Sequence, residues 1–302
     1  MKAATRHIIT SVPALAALIL LGCSDAAKVP EEATVGPNPT LPPLKQETIP
    51  TVNIAEAKGW PAGVTPKAAD GLAVNAFASG LDHPRWLYVL PNGDVLVAET
   101  NAPERPDDGK GIKGMVYRAA QKVAGAGVPS RNRITLLRDA DGDGVAETRA
   151  VFLKGLNSPF GMAPVGNDLY VANTDAVMRF PYAEGQTEIS EPGVKVADLP
   201  AGPLNHHWTK NLIASKDGKS LYVTVGSNSN VGENGLDKED RRAAILHIDL
   251  GGGQTRVFAS GLRNPNGMAF EPQTGELWTV VTMLYRDASA VPPRFQPRPP
   301  SP

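Results

Sequence analysis

A chain of 302 residues with 41% apolar side chains is long enough for one large domain or two smaller ones. Its 30 Lys and Arg nearly balance 31 Asp and Glu, which excludes nucleic acid or another polyanion as a partner drawn in by charge. A single cysteine excludes a disulfide within the chain, and 30 Gly with 28 Pro suit many turns between short strands.

The N-terminus carries Lys2 and Arg6, then an apolar stretch from Ile8 to Leu21, then Gly22 and the lone Cys23. A basic start, a short apolar core and a small residue describe an export signal, since a membrane span needs roughly 20 apolar residues. Gly22-Cys23 resembles a bacterial lipobox. Residues 1–23 are therefore expected to be a lipoprotein signal peptide with Cys23 lipidated; the alternative is an ordinary signal peptide. Ser24, next to the cysteine, resembles the signal for forwarding to the outer membrane, which implies an anchored protein facing the periplasm. Residues 24–66 lack periodicity and carry prolines at 30, 37, 39, 42, 43, 50, 61 and 66, the composition of an extended stalk.

Residues 67–281 follow a different grammar. The phrase F-A-S-G-L-D-H-P at 77–84 returns as F-L-K-G-L-N-S-P at 152–159 and F-A-S-G-L-R-N-P at 258–265. Each copy precedes apolar runs separated by a turn, W-L-Y-V-L and V-L-V-A-E around Pro91-Asn92-Gly93-Asp94 and then hairpins around 166–168 and 273–276, while a fourth hairpin around 216–219 follows a departing phrase at 203–212. Further strands are expected at Arg133–Arg138, Val177–Tyr182 and Ile245–Leu250, and a short helix within Gly114–Ala126. A repeated strand–Gly–Pro–strand phrase indicates an array of similar small sheets, so the fold class is all-β, a β-propeller with about four blades in this chain. The paired polar residues Asp82 and His83, Asn157 and Ser158, and Arg263 and Asn264 are expected at one shared mouth. The tail from 282 to 302 is too rich in proline for a blade strand. It is either a disordered extension or, the preferred reading, a shifted frame that leaves the ring incomplete.

Two clusters carry chemistry. The third blade opens on P-L-N-H-H-W-T-K-N-L at 203–212, whose paired histidines suit general-base work at a channel mouth. The loop D-A-D-G-D-G-V-A-E at 139–147 places Asp139, Asp141 and Asp143 at alternate positions with glycine at the sixth, as in a calcium loop. Ala150 occupies the position of the usual bidentate glutamate, and Glu147 is the expected substitute. A plain polar turn is the other reading.

H-W-T-K-N-L with I-A-S-K-D-G-K-S-L-Y-V-T-V-G-S-N, G-L-R-N-P-N-G-M-A-F with G-E-L-W, and P-R-W-L-Y-V-L-P-N-G-D-V-L-V-A-E-T resemble the soluble quinoprotein glucose and sorbosone dehydrogenases, the last of them the sorbosone branch. The resemblance covers residues 73–281. It implies a six-bladed β-propeller holding pyrroloquinoline quinone (PQQ) beside calcium, with a sugar as substrate. It also implies His207, five residues before a leucine, as the base taking the hydroxyl proton, and Arg263 and Asn264 as cofactor contacts. The loop that holds calcium beside the quinone in that family is replaced here by the proline-rich tail. A non-catalytic propeller that binds carbohydrate or protein, and a lactone or ester hydrolase, are the rival readings.

Overall fold

The computed structural model describes residues 54–282 apart from 62, 104–110, 203, 230, 231 and 233; the expectations placed on Cys23, on the signal and most of the stalk, and on the tail lie outside the described residues. The chain divides into two units between Lys58 and Gly59, and every described strand belongs to the second.

Fourteen strands form four antiparallel sheets among the described residues. Blade 1 contains β1 (Pro84–Val89), β2 (Val95–Glu99), β3 (Arg133–Arg138) and β4 (Thr148–Leu153). Blade 2 contains β5 (Met162–Val165), β6 (Asp168–Ala172), β7 (Ala176–Pro181) and β8 (Val194–Asp198). Blade 3 contains β9 (Leu212–Ala214), β10 (Ser220–Val225), β11 (Ala244–Asp249) and β12 (Thr255–Ala259). Blade 4 contains β13 (Asn264–Phe270) and β14 (Leu277–Thr282). Strand order follows chain order in each sheet, as a meander of tight turns requires. A helix, α1 (Gly111–Val123), is inserted between β2 and β3, three residues upstream of the expected stretch.

The hairpin register follows from the turns. Gly93 takes φ 87° while its N–H bonds to the Leu90 carbonyl, and Asp94 returns a carbonyl to the Leu90 N–H at 2.8 Å, which sets Val89 opposite Val95. The glycine of each repeated phrase, Gly80, Gly155 and Gly261, has φ of 67°, 70° and 81°, so the repetition in sequence is a repetition of one backbone bend. His83 and Ser158, just before the prolines of the first two copies, are also left-handed, at 53° and 44°, a strain of order 1 kcal/mol each. Asn264, in the same position of the third copy, opens a strand instead.

Apolar residues on alternate strand positions meet between blades. Leu96, Ala98, Ile134, Leu136 and Phe152 of blade 1 pack against Met162, Leu169 and Val171 of blade 2. Ala163, Tyr170, Ala172 and Val177 then pack against Leu221, Val223, Leu246 and Ile248 of blade 3. Each fully buried leucine or isoleucine contributes about 1.5–3 kcal/mol, so these two seams fix the blades against one another. Tyr222 continues the series, edge-on to Phe270 of blade 4 at 5.8 Å between ring centroids. The ends of β2, β6 and β10 and the beginnings of β1, β5, β9 and β13 consequently lie at the same end of the blades.

Candidate active site at the mouth of blades 3 and 4

The segment from Asn205 to Asn211 leads into β9 and is stitched on three sides. Asn211 takes the Thr224 hydroxyl oxygen with its N–H, accepts the Leu212 N–H on Oδ1 and gives Nδ2 to the Asn266 carbonyl at 2.9 Å. Trp208 stands edge-on to Phe160 at 6.2 Å, Phe160 meets Trp86 at 5.3 Å, and the Arg85 guanidinium lies 5.7 Å from the Trp208 ring centre. Residues from the openings of three blades are thus in contact.

His207 has a defined tautomer. Its Nδ1 lies 2.9 Å from the Ser227 carbonyl and 3.0 Å from the Ser227 hydroxyl, and that hydroxyl gives its hydrogen to the Ser229 carbonyl at 2.6 Å. Both neighbours of Nδ1 are therefore acceptors, Nδ1 carries the proton, and Nε2 keeps its lone pair. Burial lowers the basicity of the ring and the charges of Arg263 and His206 lower it further, against the opposing effect of the Ser227 carbonyl. The imidazole is neutral at pH 7 with its basic nitrogen available.

Gly226 brings the second pair of residues to this ring. A Cβ there would lie 2.3 Å from the His207 Cβ and 2.6 Å from the Asn264 Oδ1, so only a glycine lets both approach. The Ser227 N–H bonds to the Arg263 carbonyl at 2.7 Å, fixing the start of β13 on the end of β10. Arg263 also donates Nη1 to the Thr282 carbonyl at 3.2 Å. His207 and the Arg263–Asn264 pair, far apart in sequence, are neighbours.

Polar satisfaction at this end is incomplete. Among the described residues, the buried side-chain oxygens without a hydrogen-bond partner are Oδ1 of Asn173, Asn264 and Asn266, and all three lie at the mouth end of their blades. Buried amide oxygens left open are costly in a folded protein unless a ligand supplies donors.

Beneath the histidine is a group that the sequence reading missed. Lys210 is 0% exposed, with Nζ 3.4 Å from the His207 carbonyl and 3.3 Å from the Trp208 carbonyl. Burial, with the nearby Arg242 charge, brings its pKa down to about 7, partly opposed by Asp175. Arg242 donates to Asn205 Oδ1 at 3.0 Å, Asn205 Nδ2 donates to the Thr174 hydroxyl at 2.8 Å, and that hydroxyl donates to the Trp208 carbonyl at 3.0 Å. On the other flank, Glu239 accepts the Asn228 N–H at 2.7 Å and the Ser229 hydroxyl at 3.0 Å, holding the loop that presents Ser227.

The mouth of blade 1 is built differently. His83 gives Nδ1 to the Thr100 carbonyl at 2.7 Å, the counterpart of His207 on Ser227. Asp82 pairs with Arg131 at 2.9 Å and Arg133 at 3.4 Å, so its carboxylate serves the blade. Glu99, 0% exposed, receives Arg133 through Nε at 3.0 Å and Nη2 at 2.9 Å, together with the Thr135 hydroxyl and the Asp82 N–H. Burial alone would raise the pKa of Glu99, but these donors outweigh it and hold the carboxyl below its usual value.

Asp139, Asp141, Asp143 and Glu147 lie in the turn between β3 and β4, at the opposite end of blade 1 from the mouth. Each offers an oxygen within 4.8 Å of the others. Asp139 accepts the N–H groups of Gly142 at 2.7 Å and Gly144 at 2.9 Å, and Glu147 accepts that of Ala140 at 2.7 Å. The hard oxygen set suits calcium, but its place separates it from His207. A groove of 670 Å³ also opens at that far end, lined by Pro91, Asn167, Tyr182, Glu184 and Glu191 among others.

A family model described as TrAA12-like matches residues 66–286. The chain belongs to that family. Among solved structures, this TrAA12-like chain is similar to the holo form of the PQQ domain of pyranose dehydrogenase from Coprinopsis cinerea, at 19% identity and a TM-score of 0.52, over 72% of this chain and 48% of that one. It is also similar to the calcium structure of the Trichoderma reesei carbohydrate-active enzyme of family AA12, at 20% identity and a TM-score of 0.54, over 72% and 50%. These likenesses show a shared β-propeller fold, and the TrAA12-like chain spans about half the length of those structures. No curated protein matches it.

Proposed function

We propose that the mouth of blades 3 and 4 is the site of a PQQ-dependent sugar dehydrogenase, with an aldose or sorbosone-type hydroxyl or aldehyde as substrate. One observation carries the reading: His207 holds its proton on Nδ1 against Ser227 and keeps Nε2 basic, next to Arg263 and Asn264. His207 Nε2 accepts the proton of the sugar hydroxyl, and the Ser227 carbonyl stabilises the imidazolium that forms. Arg263 and Asn264 are the residues that would hold the cofactor. The guanidinium offers fixed positive charge where an acceptor becomes negative, and the open Oδ1 atoms at the mouth fit the hydroxyl donors of a sugar. PQQ, when bound, supplies the two-electron acceptor for the hydride leaving the sugar carbon. The pyranose dehydrogenase domain, which is similar in fold, supports the sugar class.

Two further features complete the proposal. The four carboxylates of the 139–147 turn are read as a calcium loop that braces blade 1. Lys2, Arg6 and Cys23 support export and lipid anchoring at the outer membrane, with the electron acceptor reached from the periplasmic side.

The test uses the full chain titrated with PQQ in calcium, followed by absorbance and by dye reduction with a panel of aldoses. His207→Gln should bind the quinone as the parent does and lose at least about a hundredfold in turnover, the usual contribution of a general base. Quinone binding without turnover in the parent would favour a non-catalytic binding module. No quinone binding at all would remove the dehydrogenase reading.

A further inference from the structure

Lys210 is a fully buried side chain whose hydrogen-bond acceptors are both main-chain carbonyls of the segment carrying the histidine, those of His207 and Trp208. No carboxylate among the described residues lies within ion-pairing distance of it. The charged and titratable groups around it are Arg242 from the loop before β11, Asp175 from the turn between β6 and β7, and His206 and His207 on its own segment. Arg242 is itself buried and turned onto Asn205. An ammonium has three N–H donors and would leave one without an acceptor in a site sealed from water. An uncharged amine has two, matching the two carbonyls, and leaves open only a lone pair, which costs less than a buried charge without a counter-ion.

We propose that Lys210 is a positioning residue for His207: an uncharged interior amine that clips the carbonyls of His207 and Trp208 and so holds the imidazole with Nδ1 on Ser227. The inference rests on His207 being the base of the proposed reaction. The geometry supports it from both sides. Nζ holds the segment from below, while the chain of bonds from Arg242 through Asn205 and Thr174 reaches the same Trp208 carbonyl from the neighbouring blade. The His207 ring is then fixed by its backbone as well as by Ser227, and Nε2 has one direction in which to point. A basicity brought down to about 7 agrees with the donor count.

The experiment is nuclear magnetic resonance on the 302-residue chain with lysines carbon-labelled at Cε and histidines nitrogen-labelled, in the parent, Lys210→Met and Lys210→Gln. In the parent, one lysine signal, absent from both variants, should titrate near pH 7. The His207 ring should show the Nδ1–H tautomer. In Lys210→Met that signature should give way to a mixture, and the His207 midpoint should fall further, because the Ser227 carbonyl no longer supports the imidazolium. Lys210→Gln, with two N–H donors and no charge, should keep the parent tautomer. A Lys210 signal still charged above about pH 9 overturns the uncharged clip. A folded Lys210→Met chain with the parent's His207 tautomer and midpoint overturns the positioning role. Should Lys210→Met not fold, a folded Lys210→Gln chain with a mixed tautomer does the same. In the quinone-loaded chain Lys210→Met should lower kcat with KM nearly unchanged. Altered His207 signals with no dye reduction in any chain, the parent included, leave the clip standing and remove the dehydrogenase reading alone.

Discussion

Gly226 shows how much of the site depends on a missing side chain. The His207 Cβ and the Asn264 amide both occupy the space that a methyl group at 226 would need, and neither can retreat without pulling on β9 or β13. Gly226→Ala should therefore lower stability by about 1–3 kcal/mol through overpacking and abolish quinone binding, read by urea melts and absorbance. Glu99 is a residue-scale feature of another kind, a buried carboxylate satisfied by Arg133, Thr135 and the Asp82 N–H. Because its pKa is below the ordinary value in the fold, its contribution is present above the unfolded value near 4.5 and is lost as pH falls through the lower folded value. Glu99→Gln should cost about 3 kcal/mol at neutral pH, and its deficit relative to the parent should shrink below about pH 4. Lys210 has the opposite linkage. Its proton leaves near pH 7 in the fold but near 10.5 in the unfolded chain, so the folded state loses by it on the order of 4–5 kcal/mol below pH 7 and progressively less up to pH 10.5. Urea midpoints of Lys210→Met should therefore improve relative to the parent at pH 6 and lose that advantage near pH 10.

At the scale of elements, the turn between β3 and β4 is where chemistry separates from catalysis. Asp139 already accepts two N–H groups from Gly142 and Gly144, which shapes the turn without a cation and explains its lowered pKa. Three more carboxylates crowd the same few ångströms, and their repulsion is relieved only by solvent or by a bound ion. A calcium ion bound only by the folded chain should raise stability by roughly 2.7 kcal/mol at a hundredfold excess over its Kd. Melting with calcium and with chelator should therefore differ, and Asp141→Asn should remove the difference. Identical melts in the parent would make the turn a purely polar one. Because this loop is at the far end of blade 1, Asp141→Asn should leave the His207 tautomer as it is.

The array of blades keeps apolar side chains exposed on both its first and its last described blade. Its seams between blades 1, 2 and 3 are closed by apolar side chains, while β14, the last strand among the described residues, shows Trp278 at 66% and Val280 at 69% exposure. On blade 1, Leu87 and Val89 are exposed to a similar degree. Exposed apolar side chains of this kind pair readily with another chain. Sedimentation should show association that rises with concentration, and Trp278→Lys with Val280→Thr should shift the chain toward monomer. An unchanged distribution in that double variant would show that the face takes no part.

The sequence by itself determined the blades, because strand alternation, turn chemistry and the Gly-to-Pro phrase are local properties that each segment carries alone. β3 was read to the residue, and β7 and β11 within one residue at either end. That His207, Arg263 and Asn264 belong to blade openings was legible through the repeated phrase and the histidine phrase. What only the tertiary structure decided is how residues from different blades meet: that Ser227 sets the His207 tautomer, that Gly226 admits Asn264, that Asp82 serves Arg131 and Arg133, and that the acidic turn lies away from the mouth. Lys210 belongs to this second group. A lysine in H-W-T-K-N looks like surface charge, and only the packing of Arg242, Thr174 and Trp208 around it removes it from water, where burial brings the pKa of the amine down to about 7.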